Sequence, residues 1–183
     1  MGSKLVADDK RITEEELRRI RTQTQLTFGK EYLRAGYYDK ALDAFDEAAK
    51  LNPGEARALM GRSLALTRLG RFDDALAAAD GIFGLEPNSP HAFNARGVAY
   101  QAMGRMDEAQ AAFEKSVTFG PKDAGSHYNF ACYWAFHGDK DRCRRYLERA
   151  LEINPRLNVI AATDVDLKRY RNEDWFLDLV AFK

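Results

Sequence analysis

Residues 35–53 of the chain read AGYYDKALDAFDEAAKLNP, and residues 69–87, 34 positions later, read LGRFDDALAAADGIFGLEP. The two stretches keep a glycine, two alanines and the final proline at the same places and differ at most other positions. The same register continues through the 183-residue chain. It gives a glycine column of Gly36, Gly70, Gly104 and Gly138, an alanine column of Ala41, Ala75, Ala109 and Cys143, and a proline column of Pro53, Pro87, Pro121 and Pro155.

Apolar residues recur between these columns at spacings of three and four, as at Leu42, Phe45, Ala48 and Ala49, which is the period of an α-helix. Glycine can adopt the left-handed conformation that ends a helix, so its column predicts the end of a first helix in each unit. The proline column predicts the end of a second helix, because proline disfavours helical geometry at the residue before it. The pattern therefore predicts an all-α chain of four helix pairs.

Two further columns complete the repeat. One contains small residues and the other large ones: Gly29, Ser63, Gly97 and Ala131, then Tyr32, Leu66, Tyr100 and Trp134. In this combination of columns the chain resembles the tetratricopeptide repeat (TPR), with four tandem units at 22–55, 56–89, 90–123 and 124–157. The resemblance implies a right-handed superhelical α-solenoid of antiparallel helix pairs, in which each unit contacts its neighbours.

The second unit departs most from the family pattern. Arg62 and Arg96 stand where Phe28 and Phe130 supply a hydrophobic residue, and Ala79 stands where other units have a large one. We therefore expect the packing around the second unit to differ from that of the others.

Both ends of the solenoid are expected to be covered. Residues 1–12 are predicted to be disordered and residues 13–21 to extend the first helix, because Thr13 and Glu16 have the spacing of a capping box. Residues 158–183 are similar to a tail that follows the last repeat in many bacterial TPR proteins. We expect this tail to form a helical cap whose Trp175, Phe176, Leu179 and Val180 fold back on the fourth unit.

Composition limits the partners. Acidic and basic residues balance at 28 each, and the basic clusters at 18–21, 142–145 and 168–171 are interleaved with acids, so no nucleic-acid partner is expected. No stretch approaches the ~18 apolar residues of a membrane span, and the N-terminus lacks the apolar region of a signal peptide. The sequence thus predicts a cytoplasmic protein without membrane insertion.

No arrangement of residues indicates catalysis. His91, His127 and His137 have no carboxylate or thiol partner at ligand spacing, and no nucleophile stands beside a base. We therefore expect no enzymatic activity, no metal and no cofactor. Cys132 and Cys143 lie level across a predicted turn, but packed helix axes are ~8–10 Å apart and a disulfide needs closer Cα atoms, so reduced thiols are favoured.

The resemblance also implies a concave surface lined mainly by the first helix of each unit. Projecting the helical period onto these segments predicts a groove with an apolar floor and a basic edge in the first two repeats. Its residues are Leu26, Lys30, Arg34, Arg57, Met60, Leu64, Arg68, His91, Asn94, Val98, Tyr128, Asn129, Cys132 and Phe136.

An open apolar groove predicts a protein-interaction scaffold, because contiguous exposed apolar surface is uncommon in monomers. The expected ligand is a short peptide or helix of another protein with apolar anchors and acidic residues. Two alternatives stay open. In the first, the chain's own tail fills the groove. In the second, another copy meets the groove or a capped end of the solenoid, which would make the protein a self-associating assembly component.

One function of the family is not expected here. Some TPR co-chaperones hold the C-terminal carboxylate of a chaperone with lysine, arginine and asparagine side chains on three successive repeats. The corresponding places in this chain contain Leu26 and Lys30, then Gly61, then His91 and Ala95. This set lacks most of the required cations and amides.

Overall fold

The computed structural model describes residues 12–181, which form ten α-helices and one 3-10 helix and, within that range, no β-strand. Residues 1–11, on which most of the disorder prediction falls, lie outside the described residues. The helices are α1 (Glu14–Arg34), α2 (Tyr38–Leu51), α3 (Ala56–Arg68), α4 (Phe72–Leu85), α5 (Pro90–Ala102), α6 (Met106–Phe119), α7 (Ala124–His137), α8 (Lys140–Ile153), α9 (Leu157–Thr163), the 3-10 helix Val165–Tyr170, and α10 (Asp174–Val180).

The helices pack in sequential pairs, α1 with α2, α3 with α4, α5 with α6 and α7 with α8, and each pair packs on the next. The first helices of neighbouring pairs, α1, α3, α5 and α7, also contact one another in order. This arrangement confirms the predicted all-α solenoid.

The glycine column ends each first helix. Gly36, Gly70, Gly104 and Gly138 all have positive φ, between 74° and 79°. After α1, the N–H of Gly36 donates to Leu33 O and the N–H of Tyr37 donates to Tyr32 O, which is the Schellman motif. The other three turns repeat these two bonds 34, 68 and 102 residues later. A residue with a side chain would be strained at each of these positions, so the column is a backbone requirement.

The proline column ends each second helix. Asn52, which precedes Pro53, is extended, with φ of −140° and ψ of 95°, and Glu86 and Asn154 have nearly the same geometry. The predicted helix ends are therefore confirmed.

The second role of the repeat pattern is close packing: a Cβ at Gly29 would lie 2.7 Å from the ring of Phe45. Small residues in α1 and α3 thus make the space that one phenylalanine of α2 fills.

The two arginine departures have a structural reason. Arg62 of α3 forms an ion pair with Asp46 of α2 at 2.9 Å, and Arg96 of α5 pairs with Asp80 of α4. The equivalent Phe130 of α7 instead stacks on Phe113 of α6, with ring centroids 5.8 Å apart. This column therefore faces the second helix of the preceding repeat, and two repeats use an ion pair where a third uses an aromatic pair.

The described residues leave the N-terminal end of the solenoid uncovered, contrary to the expectation from the sequence. The predicted capping box is present: Glu16 N donates to Thr13 Oγ1 at 3.1 Å, and Thr13 N donates to Glu16 Oε2 at 2.8 Å. However, the extension continues α1 along its own axis and does not fold back across the first repeat. Leu17, Ile20 and Phe28 remain 39%, 54% and 49% exposed. Among the described residues, the expectation of a covered N-terminal end is wrong.

The tail packs on the fourth repeat. Phe176 is buried, and Trp175, Leu179 and Val180 pack around the same aromatic core. Arg169 of the 3-10 helix donates from Nη1 to Ala135 O at 2.6 Å, which satisfies a carbonyl at the end of α7. The tail therefore covers the apolar side of the fourth repeat and also caps the C-terminal end of that repeat's first helix.

Candidate partner-binding surface

The residues predicted for the groove lie on α1, α3, α5 and α7, the four helices that neighbour one another across the repeats. We call the surface made by these helices the first-helix surface. Its repeats differ in accessibility.

The middle of the first-helix surface is apolar. Met60 and Leu64 of α3 and Val98 of α5 are each half-buried, so part of every side chain reaches solvent. Met60 and Leu64 are one helical turn apart, so they are neighbours on one face of α3. The apolar floor of a binding groove stays a prediction for this part of the surface.

An amide pair lies beside these apolar residues. Asn129 Nδ2 of α7 donates to Asn94 Oδ1 of α5 at 3.2 Å, across one repeat boundary. Both side chains are half-buried. The remaining atoms of the two amides, the Asn94 nitrogen and the Asn129 carbonyl oxygen, form no hydrogen bond within residues 12–181. The pair therefore presents one donor group and one acceptor group side by side.

The predicted basic edge is partly neutralised by nearby acids. Arg34 donates to Glu31 at 2.9 Å and Arg57 donates to Glu55 at 2.7 Å. The hydrogen bonds from Arg57 lower the pKa of Glu55, and the charge of Lys30 acts in the same direction. Both arginines are solvent-exposed, although Glu55 is half-buried, so each pair is worth only ~0–1 kcal/mol and the arginines can exchange partners.

Arg68 and Lys30 differ from the two paired arginines. Both are exposed, and neither has an ion pair within 4.0 Å in the part of the chain that the structure describes. Burial and the neighbouring Asp164 raise the pKa of Asp166 in the tail, and the charge of Arg68 partly opposes this rise. Arg68 therefore faces the open surface, with the start of the tail as its acidic neighbour.

Leu26 does not belong to the surface. Its side chain is fully buried in the core cluster that also contains Phe45 and Leu66. Leu26 lies on the side of α1 between the core and the first-helix surface, and the adjoining α2 and α3 cover it. The prediction for Leu26 was wrong because helical periodicity gives the direction of a side chain without the depth of its neighbours.

Tyr128 and Cys132 are also less accessible than predicted, since both are buried in the fourth repeat. Tyr128 Oη donates to Asp164 Oδ2 at 2.7 Å, so the start of the tail lies against α7 at this point. Burial raises the pKa of the Tyr128 hydroxyl. The start of the tail therefore lies against two of the residues predicted for the groove. Phe136, one further turn along α7, is 62% exposed.

The tail also brings together a group of ligand-type atoms that the sequence did not indicate. The Cys132 sulfur and carboxylate oxygens of Asp164 and Asp166 lie within 4.8 Å of one another. Asp164 already accepts from Tyr128 Oη and from the N–H of Asp166, and burial raises the pKa of the Cys132 thiol well above its usual range.

Two of the three histidines, His127 and His91, lie close to polar groups of the protein itself. His127 Nε2 lies 3.2 Å from Pro121 O, an arrangement in which the imidazole donates to the carbonyl, and burial lowers its pKa. His91 Nδ1 lies 4.0 Å from Asp123 Oδ2, beyond hydrogen-bond distance, and is half-buried at the start of α5.

Between residues 12 and 181, no helix combines the length and the apolar character that crossing a bilayer requires.

Comparisons with known proteins agree on the family. The sequence profile described as "Tetratricopeptide repeat" matches residues 26–90 and 68–124, together more than half of the chain. A search of curated protein sequences found no match. Among solved structures, the thermophilic TPR protein TTC0263 of Thermus thermophilus is 23% identical, with a TM-score of 0.66 over 87% of this chain and 86% of that one.

Two further similar structures contain peptides. The first TPR of Spaghetti (RPAP3) bound to the HSP90 peptide SRMEEVD is 20% identical, with a TM-score of 0.52 over 69% of this chain and 90% of that one. The second TPR domain of human RPAP3 in complex with the HSP70 peptide SGPTIEEVD is 17% identical, with a TM-score of 0.52 over 63% and 97%. At these identities the likeness concerns the fold. From the repeat columns, the solenoid and the profile match, this chain belongs to the tetratricopeptide repeat family.

Proposed function

We propose that this protein is a non-enzymatic interaction scaffold that binds a short peptide or helix of another protein on its first-helix surface, which would serve as a groove. The observation that carries the proposal is the half-buried row Met60, Leu64 and Val98 beside the exposed Arg68. Apolar side chains left partly open next to a cation are suited to a ligand that combines apolar anchors with an acidic residue.

The ligand would occupy the first three repeats. In the fourth, Tyr128 and Cys132 lie beneath the start of the tail, so the open floor ends near Asn94 and Asn129. The free donor and acceptor of this amide pair could bind the main chain of an extended segment, because each peptide unit offers one N–H and one C=O.

Acidic residues of the ligand would bind at Arg68 and Lys30. Arg34 and Arg57 each form an ion pair with a neighbouring glutamate, whereas Arg68 and Lys30 form none among the described residues, so a ligand carboxylate gains less from the two paired arginines. The two RPAP3 structures contain peptides with adjacent glutamates and apolar residues, which supports this class of ligand for the fold. A clamp on a terminal carboxylate is not favoured, because Leu26 and Gly61 are buried where that clamp needs polar side chains.

The test uses a displayed library of short random peptides selected on the full chain, followed by affinity measurements on the selected sequences. We expect apolar residues and at least one acid to be enriched. Leu64→Glu should weaken binding more than tenfold, because it places a charge in the apolar floor. Arg68→Glu should weaken binding of the acidic peptides and increase the selection of basic ones.

The matched control is Val159→Glu, which introduces the same charge on the exposed face of α9, away from the first-helix surface. It should leave the affinity unchanged, and circular dichroism should show the same helicity for all variants. Failure to select any peptide, or equal affinities for Leu64→Glu and wild type, would overturn the proposal.

A further inference from the structure

The start of the tail brings two carboxylates against a thiol of α7. The Cys132 sulfur and carboxylate oxygens of Asp164 and Asp166 lie within 4.8 Å of one another. Cys132 precedes both acids by more than 30 residues in the chain, so the three side chains meet only because the tail packs on α7. We call these three residues the tail cluster.

Cys132 is the buried member of the tail cluster. It is 8% exposed, and its sulfur is directed at the two carboxylates. A hydroxyl beside it, that of Tyr128, has a single proton and donates it to Asp164 Oδ2 at 2.7 Å. While this bond is made, the lone pairs of the sulfur stay open towards the cluster. The buried sulfur is therefore a ligand-type atom to which no described residue donates.

The two carboxylates of the tail cluster have no cation in contact with them. Asp164 accepts from Tyr128 Oη and from the N–H of Asp166, and each of its oxygens keeps a lone pair after these bonds. The Asp166 carboxylate accepts no hydrogen bond from a described residue, and Arg68 acts on it only from beyond ion-pair distance. Two carboxylates that share a site without a cation repel each other. This excess of acceptors over positive charge indicates that the cluster is suited to a cation.

The ligand atoms favour a metal ion of intermediate softness. Zn²⁺ accepts thiolate sulfur together with carboxylate oxygen, whereas Ca²⁺ and Mg²⁺ prefer oxygen ligands alone. With bonds of ~2.3 Å to sulfur and ~2.0–2.2 Å to oxygen, the ligand atoms of a tetrahedral zinc ion lie roughly 3.4–3.6 Å apart. The tail cluster thus needs to contract by little more than ~1 Å, which the exposed Asp166 side chain can supply by rotation. Water can take the fourth position from the solvent side.

Neighbouring groups hold one of these ligands in place. Tyr128 Oη binds the Asp164 carboxylate from α7, and Arg171 Nη2 donates to the main-chain carbonyl of Asp164 at 3.1 Å. Hydrogen bonds of this kind fix the orientation of metal ligands and are part of a working metal site. The cluster therefore has both the ligand atoms and the outer contacts that a metal ion requires.

We propose that Cys132, Asp164 and Asp166 form a zinc site that fastens the start of the tail to α7. On binding, the Cys132 thiol releases its proton to solvent, a sulfur–zinc bond forms, and each aspartate contributes one carboxylate oxygen. Burial raises the pKa of this thiol in the metal-free protein, and the charge of the ion offsets that effect, because a coordinated thiol is deprotonated. The site is structural, and it does not depend on the proposed peptide binding.

Titration of the chelator-treated full chain with Co²⁺, which can replace Zn²⁺, tests for a sulfur ligand. A thiolate bound to Co²⁺ gives a charge-transfer absorption, which we expect in wild type and which excess Zn²⁺ should remove. Cys132→Ala should abolish the absorption, whereas Cys143→Ala, the matched control at the other buried cysteine, should retain it. Absence of the absorption in wild type, or the same absorption in Cys132→Ala, would overturn the proposal.

Calorimetric titration with Zn²⁺ tests the tail's contribution. Asp166→Asn should weaken binding at least tenfold, and because Asp166 is exposed, the variant should keep the helicity of wild type. Asp141→Asn makes the same change at an exposed acid in the first turn of α8 and should leave the affinity unchanged. Zn²⁺ should also raise the Tm of wild type more than that of Asp166→Asn. Equal affinities of the two variants, or equal rises in Tm, would place the ion elsewhere and contradict the site.

Discussion

Arg96 reaches back across a repeat boundary, and its Nε donates to Asp80 Oδ1 at 2.7 Å. The two residues are 16 positions apart, one in α5 and one in α4, and Arg62 with Asp46 repeats the arrangement 34 residues earlier. The pair occupies a place where the fourth repeat uses Phe130 and Phe113. Specific electrostatic contacts thus replace apolar ones at two of the three boundaries.

The first prediction concerns the strength of this contact. Both side chains of the Arg96–Asp80 pair are partly exposed, so we expect Asp80→Ala to lower the free energy of unfolding by less than ~1 kcal/mol. The double change Asp80→Ala and Arg96→Leu should restore at least that amount, because the leucine can pack at the boundary as the phenylalanines do. Urea denaturation of the three proteins measures both values, and a loss well above this range for the single change would show a stronger pair than exposure allows.

The second prediction concerns close packing at Gly97. A Cβ at this position would lie 2.7 Å from the ring of Phe113, so the ring must move if alanine is introduced. We expect Gly97→Ala to cost ~1–3 kcal/mol, the usual range for an overpacked core. Gly84 in α4 is the matched control, because nothing lies within 4 Å of a Cβ built there. Gly84→Ala should stabilise the protein by roughly 0.4–1 kcal/mol, and equal effects of the two changes would contradict this account.

The third prediction concerns the pH dependence of stability. Burial lowers the pKa of His127, an effect that Arg149 reinforces and that the hydrogen bond to Pro121 O and the charge of Asp123 oppose. The unfolded chain therefore binds a proton at His127 more readily than the folded chain does. The resulting stability is complete above the unfolded pKa of ~6.5 and is lost as the pH falls below it towards the folded value.

Replacing His127 by Gln removes this titration. We expect the free energy of unfolding of wild type to fall between pH 7 and pH 5 more steeply than that of His127→Gln. His91→Gln is the control, because it makes the same substitution at a histidine that is half-buried at the start of α5, whereas His127 is buried. Parallel pH profiles for wild type and His127→Gln would show that burial does not perturb this imidazole.

The fourth prediction concerns the junction between the tail and α7. Tyr128→Phe removes the bond to the Asp164 carboxylate, and bonds to charged groups contribute ~1.5–3 kcal/mol when they are buried. We expect a loss near the lower end of this range, since Asp164 retains the N–H of Asp166.

Thiol reactivity reports the same junction. Burial raises the pKa of Cys132 and raises that of Cys143 to about 12, so both thiols should react slowly with iodoacetamide in the folded protein. Tyr128→Phe loosens the junction and should accelerate labelling of Cys132 by exposing it, an effect that outweighs loss of the Tyr128 hydrogen bond that lowers the Cys132 pKa, and should leave Cys143 unchanged. Equal acceleration at both cysteines would indicate a general loss of structure, which circular dichroism would detect independently.

The repeat could be predicted from sequence because its columns express local requirements. A positive φ at Gly36 and an extended residue before Pro53 depend on the chain itself, so the sequence places them correctly. The same holds for the capping box at Thr13 and Glu16.

The accessibility of the proposed binding surface could be predicted only in part, because accessibility depends on distant segments. Met60, Leu64 and Val98 lie partly open on the first helices as projected, whereas Tyr128 and Cys132 are covered by residues more than 30 positions later. Helical periodicity contains no information about where a tail returns. The exposure of Leu17, Ile20 and Phe28 on α1 could not be predicted for the same reason, since the capping box predicts where a helix starts but not whether another element covers it.

The two halves of the solenoid have unequal cores, and this difference affects the order in which they would unfold. One cluster combines Phe45 and Leu66 with small alanines, and the other is dense in aromatic rings, among them Phe113, Phe130 and Trp134. Between them, in α4, the column that has a phenylalanine in the first and third repeats contains the buried Ala79. In a linear array, where each repeat is held only by its neighbours, the weakest boundary limits cooperativity. Hydrogen exchange should therefore be fastest in α1–α4 and slowest around α7, and a partly unfolded form should retain the aromatic half and the tail together.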